Sequence, residues 1–133
     1  MSKNRWTKAK TTVYNLSYHI IFCPKYRREV LVGEIKQRLE ELFFEKADDL
    51  EIEIKDLTVM PDHVHLFIKA DPTLAPHYIV RQLKGHSSKI LREEFPQLKS
   101  RLPSLWTRSY YIESIGHISE DTIRKYIEDQ EGK

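Results

Sequence analysis

The residues of this chain best suited to chemistry are two histidines flanking a valine, His63-Val64-His65, and a tyrosine with a glutamine four positions on, Tyr126 and Gln130. The histidines belong to Asp62-His63-Val64-His65-Leu66-Phe67-Ile68, an apolar run that reads as a strand. Side chains alternate across a strand, so both imidazoles emerge on one face, about 6.6 Å apart along the backbone, and can converge on one metal ion. Tyr126 and Gln130 fall in a predicted helix, where residues four apart lie one above the other. One helix turn then offers a phenolic nucleophile and an uncharged metal ligand. Together the two pairs suit one task, the polarisation of a phosphodiester by a metal while a phenolate attacks it. Each pair also has a plainer reading. A His-x-His can be a hydrogen-bonded pair on a half-buried strand, and a tyrosine on an amphipathic helix can simply pack.

The elements that must position these residues follow from hydrophobic spacing. Tyr14 to Cys23 alternates, with Tyr14, Leu16, Tyr18, Ile20 and Phe22 on one face, and Pro24 stops the strand. Residues 34–49 place Ile35, Leu39, Leu42, Phe43 and Ala47 at helical spacing. A second strand is expected over Glu51–Val59, with a register break between Ile54 and Leu57, and a third over His63–Lys69 after a Pro61-Asp62 turn. Pro76 can open a helix that Pro96 ends, with Ile79, Leu83, Ile90 and Leu91 inward and Gly85 weakening its middle. Leu98–Ser104 reads as a loop and Leu105–Ile115 as a fourth strand. Gly116-His117 makes a turn, and Ser119 caps a last helix through about Gln130.

The order β-α-β-β-α-β-α predicts an α+β fold. Its first six elements form a ferredoxin-like or RRM-like antiparallel sheet with two helices on one face. The seventh is an added C-terminal helix, and it carries the tyrosine.

At 133 residues the chain is expected to form one domain over residues 1–133, with residues 1–12, polar and basic, flexible. One cysteine, Cys23, excludes an internal disulfide framework and suits a reducing compartment. No stretch approaches the ~18 apolar residues of a membrane span, so a cytoplasmic protein with no membrane partner is expected. The net charge of +2 conceals a division along the chain. Residues 1–28 carry seven bases and no acid, 34–56 nine acids against four bases, and 81–108 seven bases against two acids. Such a sided surface suits nucleic acid, and aromatics interleave with the bases (Trp6, Tyr14, Tyr26, Trp106, Tyr110, Tyr111) as stacking on single strands requires. Lys25, Tyr26, Arg27 and Arg28 are candidate DNA contacts, as are Lys84, His86, Ser87, Ser88 and Lys89, whose alternative is an ordinary exposed helix face. His19 shares a strand face with Asn15 and Ser17 and reads as a structural histidine, with a place near the site as the alternative. Asp62 reads as a turn former after Pro61, with orientation of a metal-bound histidine as the alternative.

Four segments in order carry a resemblance: Tyr18-His19-Ile20-Ile21-Phe22-Cys23-Pro24-Lys25-Tyr26-Arg27-Arg28, Val59-Met60-Pro61-Asp62-His63-Val64-His65-Leu66, Leu83-Lys84-Gly85-His86-Ser87-Ser88, and Leu105-Trp106 through Tyr110-Tyr111 to Ser114-Ile115-Gly116. They resemble the small single-tyrosine HUH transposases of the TnpA type, from the insertion sequence two-hundred/six-hundred-and-five group. The resemblance implies an enzyme that cuts and rejoins single-stranded DNA at the hairpin-bearing ends of a mobile element. It implies a divalent metal, Mg²⁺ or Mn²⁺, a 5′-phosphotyrosine intermediate, and a homodimer with active sites shared between subunits. His63 and His65 match the metal-binding histidines, Tyr126 the nucleophile and Gln130 the third ligand. Two imidazoles and an amide are all neutral, which leaves the ion its full charge for the phosphate. Imidazole favours Mn²⁺, and abundance favours Mg²⁺.

Overall fold

The structure, a computed structural model, describes residues 16–114 and 120–132. Trp6, Tyr14, the expected flexible segment, the Gly116-His117 turn and the Ser119 cap lie outside the described residues.

The chain runs from strand β1 (Leu16–Phe22) through a single 3-10 turn (Lys25–Arg27) to helix α1 (Gly33–Leu50). Strands β2 (Glu53–Met60) and β3 (His63–Ala70) precede α2 (Pro76–Glu94) and a short α3 (Pro96–Arg101). Strand β4 (Tyr111–Ser114) and helix α4 (Glu120–Asp129) follow. The four strands form one sheet in the order β2-β3-β1-β4, and every adjacent pair is antiparallel. The expected ferredoxin-like arrangement is therefore present, with β1 and β3 in the centre.

Alternation decides which face each side chain takes. Tyr18, Ile20 and Phe22 of β1 and Val64, Leu66, Ile68 and Ala70 of β3 are buried in the core with Leu39, Leu42 and Phe43 of α1 and Ile79, Val80, Leu83 and Leu91 of α2. A sheet with one face packed and one face free gives this pattern, which puts His63, His65 and Phe67 on the face away from α1 and α2. The register break in β2 is real, between Ile54 and Asp56. Pro76 occupies the first turn of α2, where its missing N–H costs nothing.

Two expectations need correction. Pro96 ends α2 but also opens α3, which buries Leu98, so the expected loop is half helical. The fourth strand is only Tyr111–Ser114 rather than the whole of Leu105–Ile115. Trp106 makes an isolated antiparallel bridge to Pro24, flanked by Lys25 N–H to Leu105 O (2.8 Å) and Thr107 N–H to Cys23 O (3.0 Å). The chain then leaves the ladder because the Lys84 ammonium gathers three successive carbonyls, those of Thr107, Arg108 and Ser109, at 2.6, 3.3 and 3.3 Å. β-propensity over 105–110 loses to a half-buried cation that needs oxygens.

Candidate active site

Cross-strand register assembles the free face of the sheet. Met60 stands opposite His63, Thr58 and Ile21 opposite His65, and His19 opposite Phe67. On the far side of β1, Tyr111 faces Ile21 and Glu113 faces His19. The two histidines thus share one face of a central strand. His63 directs Nδ1 to Asp62 Oδ1 at 2.8 Å, a contact that places its N–H on Nδ1 and leaves the Nε2 lone pair for a ligand. Asp62 therefore orients a histidine as well as making the turn. His65 Nε2 lies 3.0 Å from His19 Nδ1, and the His19 ring stacks on Phe67 with centroids 4.7 Å apart. Burial, with His19 and His63 adding to it, lowers the His65 pKa, and burial lowers that of His19 too. Both rings are neutral at pH 7, the form that binds a metal.

Helix α4 packs against β1 and brings its tyrosine to this side of the sheet, with the Tyr126 and Tyr111 rings 5.9 Å apart. Ser109 joins the helix pair. Its hydroxyl donates to Gln130 Oε1 at 2.9 Å and lies 3.3 Å from the Tyr126 hydroxyl. Gln130 is only 3% exposed, and its amide nitrogen donates back to the Tyr126 carbonyl at 3.3 Å. Burial pushes the Tyr126 phenol up to about 12, with its hydrogen bonding to Ser109 and Thr107 opposing it. At neutral pH the hydroxyl is protonated, so attack needs a strongly activated phosphate.

Arg27 connects the two halves. Its Nε pairs with Asp62 Oδ2 at 3.1 Å, and its Nη1 donates to the Ile127 carbonyl near the end of α4 at 3.3 Å. The structure thus joins Tyr126 to Gln130 through Ser109, and joins His63 to α4 through Asp62 and Arg27. The Gln130 oxygen is engaged by Ser109, so service as a ligand requires that bond to be exchanged. Among the described residues no group of three or more His, Cys, Asp or Glu could hold a metal. An ion on the two imidazoles must therefore take further donors from an amide, water or phosphate. On donor chemistry the set fits a divalent ion: two neutral imidazoles on one face, one of them oriented by a carboxylate.

Comparison with known proteins settles the family. The family model for IS200-like transposases matches residues 12–130. The chain belongs to the IS200-like transposase family. It is 41% identical over 128 residues to the ISDra2 transposase TnpA of Deinococcus radiodurans, covering 95% of this chain and 91% of that one. It is 31% identical over 121 residues to the transposase for insertion sequence element IS200 of Salmonella typhimurium, covering 90% and 79%. A crystal structure of a putative transposase from Deinococcus radiodurans superposes with a TM-score of 0.87 at 35% identity, over 96% of this chain and 99% of that one. A REP-associated tyrosine transposase bound to a REP hairpin shares the fold, with a TM-score of 0.58 at 16% identity over 90% and 68%. The protein is thus a DNA-cleaving transposase of the single-tyrosine type.

The transposase divides the expected DNA contacts into two sets. Tyr26 is 40% exposed, with Lys25 Nζ 5.3 Å and Arg28 Cζ 5.8 Å from its ring centroid. Tyr26, Arg28 and Arg101 line an open polar hollow of about 610 Å³. Ser88 lines a second hollow of about 380 Å³ with His77, Arg81, Trp106, Arg108 and Tyr110, and Lys89 is exposed. Three of the expected contacts have their polar heads engaged within the protein, although half-buried Lys84 and Arg27 also line these hollows. Ser87 is fully buried, donates to the Leu83 carbonyl at 2.7 Å and accepts the Trp106 indole N–H at 3.1 Å. Lys84 is spent on its three carbonyls, and burial pushes its ammonium down to about 8. Arg27 is spent on Asp62 and α4. Sequence reasoning missed Ser109 and favoured a structural role for His19 over a place near the site. For His19 a signal existed: the expected strand order already put β1 beside β3, so a polar residue on the free face of β1 had to neighbour the histidines. No helix among the described residues is long and apolar enough to cross a membrane.

Proposed function

We propose that this transposase cuts and rejoins single-stranded DNA at hairpin-bearing ends of an insertion sequence, with Tyr126 as nucleophile and a divalent ion, Mg²⁺ or Mn²⁺, held by His63, His65 and Gln130. One observation carries the reading: the helix bearing Tyr126, with Gln130 just past its end, is tied by Arg27 to the aspartate that orients His63. When bound, the ion withdraws charge from the non-bridging phosphate oxygens and so supplies the activation that a phenol with its pKa near 12 needs. The Tyr126 oxygen forms a bond to phosphorus as the bond to the 3′-oxygen breaks, and that oxygen leaves as a hydroxyl. The product is a 5′-phosphotyrosine, and a second 3′-hydroxyl reverses the step on another strand. Ser109 holds the phenol and the amide in register before the DNA arrives. Exposed Tyr26 and Arg28 and half-buried Lys25 suit a single strand, the ring for stacking on a base and the cations for phosphates.

The same reading makes the transposase a homodimer whose sites are shared, so that α4 of one subunit serves the histidines of the other. In the single chain α4 docks on its own sheet, and trans service means exchanging these contacts for the equivalent ones on a second copy.

The test is incubation with single-stranded hairpin DNA and Mn²⁺, then denaturing gels for a protein–DNA adduct. Wild type should form the adduct, and chelation, His63→Ala or His65→Ala should remove it. Tyr126→Phe should lower cleavage by roughly a thousand-fold or more while hairpin binding persists. Undiminished adduct in Tyr126→Phe would move the nucleophile to Tyr110 or Tyr111.

A further inference from the structure

We infer that Arg27 is a positioning residue for the reaction, a clamp that holds α4 docked and sets His63 through Asp62. The inference deepens the reading above, on which it rests only for naming α4 and His63 as the two reacting halves.

Three observations converge. First, the guanidinium spans two elements far apart in sequence, with Asp62 on one prong at 3.1 Å, the Ile127 carbonyl on another at 3.3 Å, and the Glu131 carboxylate at 4.0 Å. A planar fork can hold two such partners in fixed geometry, whereas a lysine presents one charge point. A cation at a helix C-terminus also complements the partial negative charge of the final carbonyls. Second, the backbone is bent to put it there. Tyr26 and Arg27 both adopt left-handed conformations, φ +59° and +52°, which side chains with a Cβ rarely take. Strain of this kind persists where the surroundings over-determine it, and it gathers at working sites. Third, the neighbours go elsewhere. Lys25 and Arg28 lie about the exposed Tyr26 ring, while Arg27, at the edge of the same hollow, directs its guanidinium to Asp62 and the Ile127 carbonyl. Asp62 then passes the constraint on, since one of its oxygens takes Arg27 and the other takes His63. Movement of α4 and orientation of His63 are therefore coupled through one side chain.

The test uses the full chain without DNA and reads hydrogen exchange by segment together with Mn²⁺ binding. In Arg27→Ala, amides of the last turns of α4 should exchange at least about fivefold faster, while those of β3 keep wild-type protection. Mn²⁺ affinity, read from the electron paramagnetic resonance of the free ion, should fall roughly tenfold, because an outer partner of a ligand histidine is loosened. Arg27→Lys keeps the charge without the bridge and should fall between. Wild-type protection of α4 or unchanged Mn²⁺ affinity in Arg27→Ala overturns the clamp. If Arg27→Ala loosens the whole sheet, Arg27→Lys decides: fast α4 over an intact β3 supports the clamp. Uniform loosening or wild-type behaviour in that variant overturns it. Neither readout requires cleavage, so loss of the Tyr126 assignment would leave this result standing, and the reverse also holds.

Discussion

The histidine strand and the tyrosine helix are built in opposite ways. Strand β3 is central, hydrogen-bonded on both edges, and Val64, Leu66 and Ile68 on its inner face are fully buried under two helices. Among the described residues, helix α4 is tied by contacts of another kind: a serine hydroxyl, a guanidinium on a carbonyl of its last turn, and one tyrosine ring against another. Apolar burial locks an element and is lost only when the domain unfolds, whereas a few polar contacts can be exchanged for equivalent ones at little net cost. The lesson is a division of labour. The half proposed to hold the metal is fixed by the core, and the proposed nucleophile is carried on a helix tied down by exchangeable polar contacts.

The sharpest way to break that comparison is to ask whether α4 works only where it is docked here. Mixing His65→Ala subunits with Tyr126→Phe subunits should restore part of the cleavage if α4 serves a second copy. One composite site then joins intact histidines to an intact tyrosine, and the other carries both lesions. If α4 stays on its own sheet, every site holds one lesion and no adduct forms. Denaturing gels after verified subunit exchange separate the outcomes.

A second test sets the two regions against each other directly. Leu66→Ala removes a fully buried side chain from β3 and should cost about 2–5 kcal/mol of global stability by urea unfolding. Ser109→Ala removes both hydrogen bonds to the α4 pair and should cost only about 1 kcal/mol or less, since Ser109 is exposed. Its main effect should be a slower covalent step, by roughly tenfold, with hairpin affinity unchanged. A Ser109→Ala loss as large as that of Leu66→Ala would mean that α4 belongs to the folding core.

How much of this was legible in the sequence follows the same division. Alternation and helical spacing are local, so β1, β3, α1 and α2 could be read from Tyr18-Ile20-Phe22, Val64-Leu66-Ile68 and Ile79-Leu83-Leu91, and the free face of His63 and His65 came with them. The polar contacts that seat α4 were not legible. Arg27 and Ile127 are 100 residues apart, Ser109 and Gln130 are 21 apart, and no periodicity links them. Lys84 and Ser87 misled for a physical reason: both sit on α2 where a basic, hydroxyl-rich run looks like a phosphate surface. Their heads are consumed by backbone carbonyls inside the protein. The same Lys84 cut short the fourth strand, since a cation that collects three carbonyls leaves none for a ladder.

The smallest expected effect concerns that lysine, and it sharpens the comparison because Lys84 shapes the loop that carries Ser109. Burial lowers the ammonium from the ordinary 10.5 to about 8, which still leaves it charged at pH 7, where it holds the three carbonyls. Between about pH 8 and 10.5 the folded protein has released this proton and the unfolded chain still holds it. The unfolded state then binds more protons, so this group makes stability rise with pH across that window. Lys84→Met lacks the titration. Urea unfolding at pH 7, 8.5 and 10 should show wild type gaining stability relative to Lys84→Met as the pH increases. The adduct yield of the variant should fall modestly at every pH, because the Thr107–Ser109 carbonyls lose their common partner. A difference in stability that stays flat from pH 7 to 10 would mean that the carbonyl cage offsets the burial fully. Lys84 would then hold the Ser109 loop as an ordinary cation, and the seat of the tyrosine helix would be insensitive to alkaline pH.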